Sequence, residues 1–121
     1  MFDWWDFLGV AERLSQTADE ADRRTSVSRA YYAAFGAALE WRQGCRYFGA
    51  RRDGTDHERL WEEFRESDDD DEREVGELGY RLRRRRNLAD YHARIDGLGD
   101  MVDDSLDDAR ELRTLLGALP C

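Results

Sequence analysis

The sequence predicts an all-α fold, a bundle of about five helices, from three features. The only proline lies at position 120, the glycines gather at breaks in the apolar pattern, and apolar residues recur at helical spacing with no alternating, strand-like run. Asp3 is placed to cap a first helix with the stripe Trp4, Phe7, Leu8, Ala11, Leu14 and Ala18, which fades near Asp19 to Asp22. A second helix, from about Arg24 to Gly44, is apolar nearly all round. Val27, Ala30, Tyr31, Ala34, Ala38 and Trp41 lie on one side and Tyr32, Phe35 and Leu39 on another. Such a helix belongs at the centre of a bundle, and its small residues, Ala33, Ala34, Gly36, Ala37 and Ala38, let neighbours approach closely.

Arg42 to Asp56, with Gly44, Gly49 and Gly54, reads as the longest loop, and its arginines offer extra phosphate contacts. A short third helix follows from Thr55 or Asp56 through Phe64. The acidic run Glu66 to Glu74 lacks the alternating ligands and turn glycine of a calcium loop, so it reads as a solvated loop that also caps the next helix. That fourth helix spans about Asp70 to Tyr91. Gly97 and Gly99 separate it from a fifth, about Asp100 to Leu116, with the stripe Val102, Leu106, Ala109, Leu112 and Leu116.

Composition bounds what such a bundle can do. A chain of 121 residues with 40% apolar residues suffices for one domain, residues 1–121, with a real core, and a net charge of -9 makes it very soluble. All 19 basic residues are arginine, which keeps its charge at any accessible pH and can clamp a phosphate with two parallel hydrogen bonds. Cys45 and Cys121 lack CxxC or metal-ligand spacing, so they are expected as a loop thiol and a frayed terminal thiol. No metal and no cofactor is expected. Residues 1–9 carry acids where a signal peptide would be basic, and no apolar run approaches 18 residues, which predicts a cytoplasmic protein without a membrane partner.

Against this acidic background, Arg81, Arg83, Arg84, Arg85 and Arg86 form a local island of positive charge that calls for an anionic partner such as RNA. Arg86 falls four residues after Leu82 on the apolar stripe Val75, Leu78, Leu82 and Ala89, so it points inward and needs a partner charge. Asp90, four residues on, is one candidate. Arg29 of the second helix competes for the same carboxylate, which would make Arg29 and Asp90 a structural ion pair. His92 lies six residues after Arg86 and meets it only if the helix ends there or a second subunit brings another copy near. His57 is expected as a surface or capping residue.

Two segments resemble signatures of the HEPN domains of bacteria and archaea: Ser28-Arg29-Ala30-Tyr31-Tyr32-Ala33-Ala34-Phe35 is similar to the SRAYYAxF signature, and Arg86-Asn87-Leu88-Ala89-Asp90-Tyr91 to the later RNxADY segment. The resemblance covers most of the chain and implies an up-and-down helical bundle that forms a homodimer. Many HEPN proteins are metal-independent endoribonucleases with an Arg-x4-6-His motif, which Arg86, Asn87 and His92 match with five intervening residues. The implied activity is RNA cleavage of the toxin type in a dimer cleft, with Arg86, Asn87 and His92 catalytic, beside an MNT-type nucleotidyltransferase antitoxin. Arg81, Arg83, Arg84 and Arg85 would bind RNA phosphates. The alternative is a non-catalytic HEPN module that binds nucleotides, RNA or a protein partner and is paired with a nucleotidyltransferase.

Overall fold

The computed structural model describes residues 1–121 and contains five helices and no strand: α1 (Asp6–Leu14), α2 (Glu20–Cys45), α3 (Asp56–Arg65), α4 (Asp70–Tyr91) and α5 (Leu98–Ala118). The bounds follow from local capping. Capped by Asp19, α2 begins at Glu20, four residues before the expected start at about Arg24, because the Asp19 carboxylate accepts the N–H of Asp22 at 3.1 Å and Glu20 and Asp22 suit the positive end of the helix. Asp69 does the same for α4 through the N–H of Glu72 at 2.9 Å. Asp3 binds the N–H of Trp5 at 3.0 Å and so caps a preliminary turn, which leaves α1 to begin at Asp6. Gly97, with φ 74°, makes the left-handed turn into α5.

The two long helices α2 and α4 form the centre. α2 packs on α1, α4 and α5, while α4 packs on α2, α3 and α5. They run antiparallel, since Arg24 near the start of α2 reaches carbonyls at the end of α4, and Arg42 near the end of α2 reaches Glu72 at the start of α4. Tyr31, Leu60, Trp61, Phe64, Leu78, Leu82 and Leu112 are fully buried between them and their neighbours. The apolar stripes read from the sequence on α4 and α5 are the buried ones. No helix is long and apolar enough to cross a membrane.

Two sequence expectations are corrected here. Cys45 and Cys121 are not free thiols. They are bonded to each other across 76 residues, with Cα atoms 4.8 Å apart, and tie the end of α2 to the end of the chain. A closure of that length removes enough unfolded-state freedom to stabilise the fold by about 4 kcal/mol in a chain-entropy account. The acidic run is also not wholly solvated: Glu72 is 4% exposed and accepts from Arg42 at 3.4 Å and Arg46 at 3.2 Å. Arg46 further bonds the carbonyls of Cys45 and Pro120, so the ion pairs and the disulfide form one knot.

Close packing at one glycine yields a direct test. A Cβ at Gly79 of α4 would run into the indole of the buried Trp61. Alanine improves helix propensity by about 1 kcal/mol over glycine, whereas overpacking a rigid aromatic costs about 1–3 kcal/mol. Gly79→Ala is therefore expected to destabilise the protein in urea melts, while the same change at Gly44, where nothing lies within 4 Å, is expected to be neutral or stabilising.

Candidate functional site

The two signature segments meet in space. Arg86 projects from α4 toward α2 with its side chain 15% exposed, and its guanidinium donates in three directions: Nε to Asp90 Oδ2 at 3.1 Å, Nη1 to Asn87 Oδ1 at 2.8 Å and Nη2 to the Tyr32 hydroxyl at 2.5 Å. The rings of Tyr31, Tyr32 and Tyr91 lie within 5.8 Å of it and add cation–π attraction. Ser28 completes the arrangement by donating to Asp90 at 3.3 Å. Helical geometry accounts for it: Ser28 and Tyr32 are four residues apart on α2, Arg86 and Asp90 four apart on α4, so each pair occupies one face.

Arg29 does not pair with Asp90, contrary to the sequence expectation. Its guanidinium lies 4.9 Å from the ring centroids of both Phe7 and Tyr32. Arg86 is a helical turn from Asp90 on the same strip of α4 and reaches the carboxylate first, while Arg29 sits one residue around α2 from the face that Ser28 and Tyr32 present.

His57, expected as a surface residue, is the imidazole that joins this cluster. Its ring stacks on Phe35 with centroids 3.9 Å apart, and Nδ1 lies 2.6 Å from the Tyr31 hydroxyl. Trp61 Nε1 donates to the same hydroxyl at 3.2 Å. An indole N–H can only donate, so the Tyr31 oxygen accepts from Trp61, which leaves the phenol proton available to His57 Nδ1. Burial, then the nearby charges of Arg86 and Arg83, lower the His57 pKa from 6.5 to about 4. Burial also pushes the Tyr31 phenol well above its ordinary range.

The arginine island divides around α4, because residues advance by 100° per position and consecutive side chains cannot share a face. Arg81 and Arg85 turn toward α5 and share Asp108, at 3.3 and 2.8 Å. Arg83 turns toward α3, beside Glu58, Trp61, Glu62 and Arg65, and its Nε is buried without a hydrogen-bond partner. Arg84 is exposed. Asn87 is held by Arg86, as above. His92 caps α4 in an extended conformation, φ -96° and ψ 127°; its N–H donates to Leu88 and its carbonyl accepts from Arg24. The imidazole is exposed and makes no hydrogen bond within the chain.

No family model, curated protein or solved structure matches the chain. The site therefore stands on its own geometry, in which Tyr32, Ser28, Tyr31 and His57 join residues selected from α4.

The lowered His57 pKa makes stability depend on pH. The folded protein resists the proton that the unfolded chain accepts near pH 6.5, so this contribution is fully present above pH 6.5 and declines as pH falls toward 4. With screening of a half-exposed ring taken into account, urea melts are expected to show the parent losing about 1 kcal/mol more than His57→Asn between pH 7 and pH 5. Equal losses in both proteins would remove the Tyr31–His57 arrangement from the account.

Proposed function

We propose that the protein is a HEPN-type module that recognises macromolecular partners through α4 and does not cleave RNA: it forms a homodimer and works beside an MNT-type nucleotidyltransferase. The observation that supports this reading is the inward commitment of Arg86, whose guanidinium is engaged by Tyr32, Asn87 and Asp90 and covered by tyrosine rings. A side chain so held acts as a fastener between helices. An exposed strip of α4 supports the partner role, since Tyr80, Leu88 and Tyr91 are 39%, 36% and 74% exposed and fall on it with Arg84, Tyr91 also bordering Arg86. A symmetric pairing across that strip would bury three large apolar side chains from each copy.

A second reading, the metal-independent endoribonuclease, is favoured by the free imidazole of His92 and by the two N–H groups of Arg86 that remain after three of its five are used. In that reaction the 2′-oxygen of RNA attacks phosphorus, His92 takes its proton, Arg86 stabilises the phosphorane charge with Asn87 orienting it, and the bond to the 5′-oxygen breaks as that oxygen takes a proton from water, His92 later returning its own to solvent. A 2′,3′-cyclic phosphate and a 5′-hydroxyl end result.

Cleavage of single-stranded RNA in EDTA separates the two. The binding reading expects the parent, His92→Ala and Arg86→Ala to be indistinguishable, at the level of contaminating nuclease. A loss of about a hundredfold or more in both variants, with a cyclic phosphate product from the parent, would establish the nuclease instead.

The dimer has its own test. Light scattering at micromolar concentration is expected to give twice the 14.2 kDa chain mass for the parent and the single-chain mass for Tyr91→Glu. A monomeric parent would contradict the proposed pairing.

A further inference from the structure

Sharing no residue with the Arg86 network, a cleft of about 360 Å³ opens between the N-terminal turn, α2 and α5. Three of the four tryptophans of the chain, Trp4, Trp5 and Trp41, line it together with Phe2. All four of these side chains remain partly or largely accessible, unlike the buried Trp61. Their positions are built in: the indole of Trp4 is seated against Gly36, where a Cβ would collide with it, and Phe2 meets Trp4 edge-on at 5.2 Å.

The charges at the cleft are as informative as its walls. Glu40 stands at its rim with no ion pair, and Arg113, also at the cleft, has no carboxylate partner. The Arg113 guanidinium instead lies 5.4 Å from the Trp5 ring centroid, so the cleft already holds one cation against an indole face. Asp3 also faces the cleft, with its carboxylate accepting from the N–H of Trp5. An open aromatic surface with two carboxylates and one guanidinium, none of them in an ion pair, is complementary to a ligand that carries both charges.

We infer that this cleft binds a small zwitterion with a quaternary ammonium group and a carboxylate, the ammonium against Trp4, Trp41 and Glu40 and the carboxylate on Arg113. A quaternary ammonium has no N–H to satisfy, so indole faces suffice for it, whereas a primary ammonium would give up the hydration of three N–H groups on entering a cleft walled mainly by indoles. A simple organic cation would meet repulsion from Arg113. The volume is ample for so small a molecule.

The test uses trimethylammonioacetate as the probe, followed by tryptophan fluorescence and by calorimetry on the full chain. Two analogues dissect it: 3,3-dimethylbutyrate, which replaces the charged nitrogen with carbon, and choline, which lacks the carboxylate. Saturable binding of the probe with a Kd on the order of 1 mM is expected, with each analogue weaker by about tenfold. Arg113→Gln should weaken the probe about fivefold and leave choline unaffected or tighter, and Glu40→Gln should weaken both. Both positions are solvent-exposed, and circular dichroism checks that the variants are folded. Absence of a saturable response overturns the site; equal affinity for 3,3-dimethylbutyrate overturns the cation recognition; equal affinity for choline, or an unaltered probe affinity in Arg113→Gln, overturns the role of Arg113.

Discussion

A single guanidinium sets the register of the two central helices. Arg86 lies beside the apolar stripe of α4, where an unpaired charge would cost several kcal/mol, and arginine cannot escape that cost by losing its proton. The chain meets the requirement with a carboxylate and an amide from α4 itself and a phenol from α2. Only the phenol is on the other helix. Tyr32 therefore has to stand opposite Arg86, and the neighbouring positions of α2 follow: Ser28 one turn back touches Asp90, and Tyr31 faces inward to Trp61 and His57.

Once that point is fixed, both ends of the antiparallel pair close around it. At one end Arg24 donates to the carbonyls of Ala89, His92 and Ala93, which satisfies the last turn of α4 with a cation where the helix dipole favours one. At the other, buried Glu72 at the positive start of α4 holds Arg42 and Arg46, and the Cys45–Cys121 bond anchors the end of α2. Charge thus orders the ends of a core whose middle is apolar. The same internal use of arginine reduces what α4 can offer outside, since Arg81 and Arg85 are paired with Asp108 and Arg86 faces inward.

The helices were largely legible because periodicity and caps are local. α4 runs from Asp70 to Tyr91 as its stripe and Asp69 cap imply, and Gly97 marks the turn before α5. The inward direction of Arg86 was legible for the same reason, from its spacing to Leu82. What escaped were contacts between residues distant in sequence. Nothing near Cys45 or Cys121 marks them as partners 76 residues apart. His57 sits at the start of an amphipathic helix, where an imidazole is commonly exposed, and only the approach of Tyr31 and Phe35 from α2 encloses it. The choice of Arg86 over Arg29 as partner of Asp90 depended on the rotation of α2, which spacing alone does not specify. The island looked continuous because the eye reads a sequence as a line, whereas a helix distributes neighbours around an axis.

The central claim is that the Arg86–Tyr32 contact couples α4 to α2, and a double-mutant cycle measures it most directly. Tyr32→Phe removes only the hydroxyl, Arg86→Leu removes the charge while keeping an apolar side chain, and urea melts of both single variants and the double variant yield the coupling free energy. A charge-assisted hydrogen bond in a half-buried site predicts a coupling of about 1–2 kcal/mol. Losses that add to within about 0.3 kcal/mol would show that the two residues act independently, and would contradict the account.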